Sequence, residues 1–236
     1  MVIEKLPMQI MLVFLIATGM VISSHDLSMA GPVHENADLQ KEEKAARKNL
    51  SKSPDDHVTI TALGVVYWEM GKKRAAIKLF RKTIKIAPDY PPPYFFLGKA
   101  YFLERKNEKA ITKFDIFEKK MDAFIAVDGN MKDFHVSCLY EIAGFYAASR
   151  RHDEVLGTYN KIVKLEPQDQ QAHYNLAVCY YKFFHDRSRA YKELKNVIEI
   201  GGDKFLSDKA AFFVDYLRNN PDSRYAADLD FIERGD

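Results

Sequence analysis

The chain has 236 residues, with 35 Lys and Arg against 33 Asp and Glu, which gives a formal net charge of +2. Basic and acidic residues are interleaved, so the concentrated basic face that nucleic-acid binding requires is not predicted. We interpret the densest basic cluster, Lys72-Lys73-Arg74, as a solvated turn. The length is sufficient for a substantial buried core.

The chain begins with an apolar segment, Met8 to Ile22, which follows Lys5 and precedes Ser28-Met29-Ala30. A basic residue, an apolar run and small residues before the cut are typical of a secretory signal peptide, here residues 1–30. The apolar run is short for a membrane span, which needs roughly 17 to 25 residues. The sequence therefore predicts export, in the first place to a bacterial periplasm. The alternatives are an inner-membrane anchor formed by residues 8–22 and a secreted protein.

Residues 31–56 follow, and their charged stretch favours a helix that ends before Pro54-Asp55-Asp56. Proline cannot continue a helix, and an Asp at the start of the next helix accepts N–H bonds at its positive end. We therefore predict a single N-terminal capping helix in this segment. The same reasoning places Asp89, after Pro88, at the start of a later helix.

An internal repeat comes next. Four pairs of residues lie 34 positions apart: Gly64 and Gly98, Tyr67 and Tyr101, Ala76 and Ala110, Phe80 and Phe114. A second register has the same period: Ile142 and Leu176, Ala143 and Ala177, Tyr146 and Tyr180. Such a period indicates stacked structural units, and the apolar spacings of three and four residues indicate helices.

The order of these landmarks resembles the tetratricopeptide repeat, a pair of antiparallel helices. The first unit reads Leu63-Gly64, Tyr67, Ala76, Phe80, Pro88. The resemblance implies an all-α fold, a right-handed α-solenoid of about four helix-turn-helix repeats with capping helices. It also implies that the two helices of a unit meet at the Gly or Ala position, where only a small side chain fits. The repeats cover residues 57–90, 91–135, 136–169 and 170–203.

Residues 204–236 are predicted to form C-terminal capping helices, which solenoids need to cover their last apolar face. The first has an apolar face made of Phe212, Phe213, Tyr216 and Leu217. The second is an amphipathic helix with Tyr225, Leu229 and Ile232.

The period breaks once, because Gly98 and Ala143 are 45 positions apart, an insertion of 11 within residues 117–135. Eleven residues make about three helical turns, so lengthened helices stay in phase. We predict two longer helices joined by a turn at Val127-Asp128-Gly129-Asn130. The apolar residues of the insertion are expected to pack on one another, with a contact site as the alternative.

The two cysteines, Cys138 and Cys179, are predicted to be free thiols that are mostly buried. In the repeat register they are offset by about two helical turns, roughly 10 Å. A disulfide needs Cα atoms within about 7 Å of each other.

No catalytic constellation is present. The sequence has no Gly-rich phosphate loop, no His-Glu-x-x-His and no Gly-x-Ser-x-Gly, and its seven histidines are scattered. The sequence therefore predicts no enzyme activity, no cofactor and no metal site.

The family resemblance further implies that the first helix of each unit lines an inner surface with its second, fifth, ninth and twelfth residues. Aromatic residues are frequent there, which favours an apolar groove for an extended or helical peptide. The predicted partner-binding residues are Thr61, Val65, Trp68, Phe95, Lys99, Phe102, Tyr140, Tyr174, Val178 and Tyr181. The alternative is that the chain's own N-terminal or C-terminal helix fills this face.

The predicted function is a non-enzymatic protein-protein interaction scaffold of the cell envelope. One alternative is a self-assembling homo-oligomer, and another is an accessory subunit or small-ligand binder that uses the same groove. The expected partners are proteins or peptides. Nucleic acid is not expected, and membrane contact is expected only through an uncleaved N-terminus.

Overall fold

The computed structural model describes residues 36–125 and 131–220, and every regular element in these two ranges is a helix. The predicted signal peptide, the predicted turn at Val127-Asp128-Gly129-Asn130 and the last predicted helix, with Tyr225, Leu229 and Ile232, lie outside the described residues. The all-α class predicted from the sequence is confirmed.

The chain divides into two compact units, and the boundary lies between Cys138 and Leu139. The first unit contains α1 (Asn36–Lys52), α2 (His57–Glu69), α3 (Lys73–Ile86), α4 (Pro92–Leu103), α5 (Asn107–Ile125) and the start of α6 (Lys132–Ala148). The second contains the rest of α6, α7 (His152–Leu165), α8 (Gln170–Phe184), α9 (Arg187–Ile200) and α10 (Lys204–Asn219). None of these described helices is long and apolar enough to span a lipid bilayer.

Of the two predicted helix caps, one is confirmed and one is wrong. The carboxylate of Asp56 accepts a hydrogen bond from the Val58 N–H at 3.2 Å and so caps α2. The expectation that Asp89 begins the next helix is wrong, because α4 begins at Pro92 without a side-chain cap. Proline at a first helical position lacks the N–H that a cap would satisfy. Asp89 instead pairs with Lys120 at 2.8 Å.

The two helical hairpins of the first unit, α2 with α3 and α4 with α5, cross at glycines. A Cβ added at Gly64 would lie 2.5 Å from Cε1 of Phe80, and one at Gly98 would collide with the ring of Phe114. Both rings are at most 1% exposed, so they have little room to move. The predicted requirement for a small residue at the crossing is confirmed. In the second unit, alanines occupy this position and are completely buried: Ala143 and Ala177.

The helices on either side of the insertion are longer than their counterparts. Helix α5 has 19 residues against 14 in α3, and α6 has 17 against 13 in α2. Met121, in the added part of α5, is buried, as is Phe117 one turn earlier. The rings of Phe117 and Phe134 meet edge to face with centroids 6.3 Å apart. Phe134 of the insertion therefore packs as the first sequence-based alternative expects, whereas Phe124 meets the ring of Tyr90 at 6.2 Å and Val127 lies outside the described residues.

Both cysteines are free and buried, as predicted. Burial raises the pKa of the Cys179 thiol to about 12. Because only the thiolate is a strong nucleophile, Cys179 is an inert core residue at neutral pH.

Candidate partner-binding surface

The ten predicted partner-binding residues divide into a buried group and an accessible group. Six are buried: Thr61, Val65, Trp68, Phe95, Tyr174 and Tyr181. Four are partly exposed: Lys99, Phe102, Tyr140 and Val178. Most of the aromatic rings at these positions therefore pack between helices of their own unit.

Thr61, the fifth residue of the first repeat, lies between α2 and α3. Its hydroxyl donates to the carbonyl of His57 at 2.8 Å and lies 3.1 Å from the hydroxyl of Thr83 on α3. Both threonines are completely buried. The side chain of Thr61 therefore joins two helices of the core.

Phe95, the fifth residue of the second repeat, stands at the centre of an aromatic cluster. Its ring centroid lies 5.4 Å from those of Phe96 and Phe117, 6.1 Å from Phe114 and 6.4 Å from Phe134. These rings come from α4, α5 and the start of α6. Phe95 is completely buried, so its ring holds three helices of the first unit together.

The accessible part of the predicted surface in the first unit lies near the end of α4. The Lys99 ammonium is 5.3 Å from the centroid of Phe95, a distance at which a cation is attracted to the ring face. Phe102 is partly exposed, and the next residue, Leu103, is 56% exposed. This region combines one positive charge with apolar side chains.

In the second unit, Tyr140 joins α6 to the turn before α8. Its hydroxyl donates to Oδ1 of Asp169 at 2.7 Å, and the same oxygen accepts the Ala172 N–H at 2.9 Å as the cap of α8. Burial, and then the negative charge of Asp169, raise the pKa of Tyr140. The phenol therefore remains protonated at neutral pH and keeps this hydrogen bond.

Tyr174 and Tyr181 of α8 belong to one buried cluster with residues of α10. The rings of Tyr181 and Phe213 meet edge to face at 5.3 Å. Val178 packs against this cluster but remains partly exposed. At Tyr181 the predicted binding surface is thus covered by the C-terminal capping helix α10, which is the alternative that the sequence analysis left open.

Two large apolar side chains of α10 are exposed to solvent. Phe205 is 65% exposed and Phe212 is 43% exposed. They lie 34 residues after Gln171 and Val178, the second and ninth residues of the fourth repeat, which the family resemblance predicts to line the inner surface. Helix α10 therefore continues the repeat register, and its second and ninth positions carry phenyl rings. We call Phe205 and Phe212 the α10 face.

Sequence reasoning missed this surface. It grouped Phe212 with Phe213 in one apolar face, but Phe213 is completely buried whereas Phe212 is 43% exposed. Neighbouring residues of a helix point about 100° apart, so two adjacent rings cannot both face the core squarely. Extending the 34-residue register beyond Gly202 places Phe205 and Phe212 at the second and ninth positions of a further unit.

The start of α10 is held by the buried side chain of Gln170. Its amide nitrogen lies 2.9 Å and 3.0 Å from the carbonyl oxygens of Val197 and Asp203, and 2.8 Å from the hydroxyl of Ser207. Its amide oxygen accepts the Asp203 N–H at 2.6 Å. One side chain at the start of α8 therefore fixes the turn between α9 and α10.

The end of α10 is held by Arg187, the first residue of α9. Its guanidinium donates to the carbonyl of Leu217 at 2.6 Å and to that of Asn220 at 2.8 Å. Carbonyl groups at a helix C-terminus carry partial negative charge, so a cation is favourable there. Both ends of α10 are thus bonded to the preceding helices.

A buried ion pair lies between α8 and α9. His173 Nδ1 is 2.6 Å from a carboxylate oxygen of Glu193, and Nε2 is 3.1 Å from the carbonyl of Pro167. Only the doubly protonated ring can donate to both acceptors. The hydrogen bond with Glu193 accordingly raises the pKa of His173 above its ordinary 6.5. Burial acts to raise the pKa of Glu193, but hydrogen bonds from His173 and Asn196 outweigh it and lower that pKa below 4.5.

This pair is expected to make folding stability depend on pH. The contribution of His173 is complete below about pH 6.5 and is lost as the pH rises through its raised folded-state pKa. The contribution of Glu193 is complete above about pH 4.5 and is lost as the pH falls through its lowered pKa. We expect the wild-type free energy of unfolding to fall more steeply above pH 6.5 than that of His173→Gln. Urea unfolding across a pH series measures this. Parallel profiles for the wild type, His173→Gln and Glu193→Gln would contradict it.

Within the described ranges, no three His, Cys, Asp or Glu side chains are grouped so that they could hold a metal ion. The accessible positions offer aromatic and aliphatic side chains with a few cations. Such a composition is suited to protein or peptide contacts.

Helical hairpins that cross at small residues define a helical-repeat protein. Residues 59–90 match the family model of the tetratricopeptide repeat. The chain thus carries a tetratricopeptide repeat and has the fold of tetratricopeptide-repeat solenoids, as predicted. Such repeats are generally non-enzymatic modules that bind other proteins or peptides, so the fold indicates an interaction scaffold.

Solved structures share this fold. A crystal structure of MamA matches with a TM-score of 0.53 at 23% identity, over 71% of this chain and 91% of that chain. Another gives 0.51 at 22% identity, over 70% and 83%. A MamA fragment from Desulfovibrio magneticus RS-1 gives 0.50 at 13% identity, over 69% and 85%. These identities establish a common fold alone. No curated protein matches the sequence.

Proposed function

We propose that this protein is a non-enzymatic scaffold of the cell envelope that binds a partner protein or peptide through the α10 face. The observation that carries the proposal is the exposure of Phe205 and Phe212, 65% and 43%, at repeat positions that continue those of α8. Aromatic side chains contribute strongly to protein interfaces. The envelope location rests on the apolar segment Met8 to Ile22.

The chemistry around Phe205 narrows the kind of partner. The Lys209 ammonium lies 4.7 Å from the centroid of the Phe205 ring. A ring with a cation beside it suits a segment that carries an apolar anchor next to a carboxylate. We therefore propose an amphipathic segment with acidic residues as the bound element.

The ten residues predicted from the sequence have two kinds of role in this proposal. The four accessible residues provide surface within their own units: Tyr140 and Val178 in the unit that contains α10, and Lys99 and Phe102 in the first unit, which this proposal does not use. The six buried residues act through the stability of the helices that present the surface. Substituting a buried position therefore affects binding through folding.

The double substitution Phe205→Ala with Phe212→Ala is expected to weaken partner binding at least tenfold. Loss of an aromatic anchor at an interface typically costs about 2 kcal/mol or more. Because both rings are exposed, the unfolding temperature should change little. Immobilised protein is incubated with envelope extract, bound proteins are quantified by mass spectrometry, and the Kd of the leading partner is then measured with purified components.

The matched control removes two exposed apolar side chains of the first unit, Ile86→Ala with Leu103→Ala, which are 38% and 56% exposed. This variant should retain partner binding. Equal binding by the wild type and the Phe205/Phe212 variant would refute the α10 face as the site. Light scattering after size exclusion tests the self-assembly alternative, which requires the same double variant to reduce the oligomer size. A thermal-shift screen of small molecules tests the ligand-binding alternative.

A further inference from the structure

Helix α3 carries a concentration of positive charge that partner binding by the α10 face does not use. It contains six basic residues and no acidic residue: Lys73, Arg74, Lys78, Arg81, Lys82 and Lys85. All six are exposed. One helix of 14 residues thus holds six positive charges in a chain whose net charge is +2.

Most of these residues lie on one side of the helix. At about 100° per residue, all except Lys73 fall within an arc of about 100°. The opposite side is buried in the first unit by Ala76, Phe80 and Thr83. With a rise of 1.5 Å per residue, the charges form a stripe about 17 Å long from Arg74 to Lys85. We call Arg74, Lys78, Arg81, Lys82 and Lys85 the basic face of α3.

The corresponding second helices of the other repeats do not share this property. Helix α5 has four Lys and four acidic residues, and α7 has two Lys and two acidic residues. Helix α9 has four basic and two acidic residues. The excess of charge therefore belongs to α3 in particular and is not a general feature of these helices.

Few acidic groups neutralise the basic face. Lys82 lies 3.3 Å from the carboxylate of Asp55, which is itself 78% exposed. Arg74, Lys78 and Lys85 make no ion pair with any residue in the ranges 36–125 and 131–220. Most of the positive charge is thus available to a partner.

The form of this face favours a flat anionic partner. It is the exposed side of a single helix, and it carries no aromatic ring on which a nucleic-acid base could stack. Lys predominates in the stripe, and Lys acts as a flexible point charge without the fixed fork of Arg. Ile86, 38% exposed, adds an apolar group at the end of the helix. These properties suit the phosphate headgroups of a bilayer surface.

We propose that the basic face of α3 docks on a membrane surface that contains anionic phospholipids. The apolar segment Met8 to Ile22 is consistent with a membrane-associated setting, because both a signal peptide and an anchor bring a chain to a membrane. The interaction is electrostatic, so it weakens as salt shortens the Debye length. Each basic residue near such a surface raises partitioning about fivefold.

Vesicle sedimentation with the full chain tests the proposal. Phosphatidylcholine vesicles are compared with vesicles that also contain about a third phosphatidylglycerol, at low and at high salt. We expect at least tenfold stronger binding to the anionic vesicles at low salt. The triple variant Lys78→Glu, Arg81→Glu, Lys85→Glu should bind both kinds of vesicle equally. A control, Lys109→Glu, Lys119→Glu, Lys192→Glu, makes the same change in net charge at exposed positions of other helices and should keep the preference.

Three outcomes would overturn the proposal. Equal wild-type binding to both kinds of vesicle would attribute binding to the apolar segment alone. If the α3 variant and the control lost the preference for anionic vesicles equally, that preference would depend on the net charge of the protein and not on the basic face of α3. Tighter α3-dependent binding to a duplex DNA oligonucleotide than to anionic vesicles would assign the face to nucleic acid. Circular dichroism of each variant establishes that the helices remain folded.

Discussion

Replacing Gly98 with alanine is expected to lower the free energy of unfolding by about 3 kcal/mol, the upper part of the range for overpacked cores. The new methyl group would overlap the ring of Phe114, which is 1% exposed. That ring is enclosed in the aromatic cluster around Phe95, so relief of the overlap requires α4 and α5 to separate. Urea unfolding followed by far-ultraviolet circular dichroism measures the loss.

Gly157→Ala is the matched control. Gly157 lies inside α7, and a Cβ placed there meets no atom within 4 Å. Alanine in an unobstructed helix position is more stable than glycine by about 0.5–1 kcal/mol, so this variant should gain stability. A Gly98→Ala protein as stable as Gly157→Ala would show that the α4–α5 crossing is looser than described.

Phe95→Ala is expected to cost about 3–5 kcal/mol, as is usual when a buried phenyl ring is removed. The completely buried Phe95 ring lies against rings from α5 and α6 as well as α4, and no single neighbour can fill the space. Thermal and urea unfolding of the variant measure the cost. The loss should exceed that of any change on the exposed side of α10.

Phe102→Ala provides the comparison, because Phe102 belongs to the same helix but is partly exposed. Its loss should cost about 1 kcal/mol, in proportion to the smaller area removed from water. If Phe95 acted chiefly as a binding residue, its substitution would reduce partner binding and leave stability almost unchanged. That result would contradict the core role.

The repeat period predicted the helical hairpins well, because each of its recurring residues is needed for a particular local structure. Gly64 and Gly98 are required where two helices cross. Proline, with no N–H to donate, cannot continue a helix, and α3 ends at Ile86, shortly before Pro88. These properties are local to one hairpin, so a single sequence contains enough information to locate them.

The accessible surface was harder to predict, because exposure depends on helices that lie far along the chain. The ninth positions of the second and fourth repeats, Lys99 and Val178, remain partly exposed, whereas the fifth position of the second repeat, Phe95, is covered by α5 and α6. In α10 two phenylalanines, Phe212 and Phe213, are neighbours on different faces of the helix, so residue type alone does not show which one is buried. Phe213 is the buried one, and its ring packs against Tyr181. Sequence alone did not distinguish these cases.

The charge of α3 shows a similar limit. Lys72-Lys73-Arg74 is conspicuous as a run in the sequence, where it is interpreted as a turn, but it covers the N-cap and the first two residues of α3. The later basic residues are spaced three and four apart, so they form a single stripe only once the segment is helical. A search for consecutive basic residues therefore underestimates how many of them lie on one side of α3.

The attachment of α10 has a consequence for how this protein could acquire new partners. Gln170 and Arg187 hold the helix mainly through its backbone groups, at Asp203, Leu217 and Asn220. The outward positions 205, 208, 212 and 215 supply none of these bonds. Side chains at those four positions can be exchanged while the anchors persist. The binding specificity of α10 can therefore change, in evolution or by design, through substitutions at these positions while the helices that hold α10 in place stay the same.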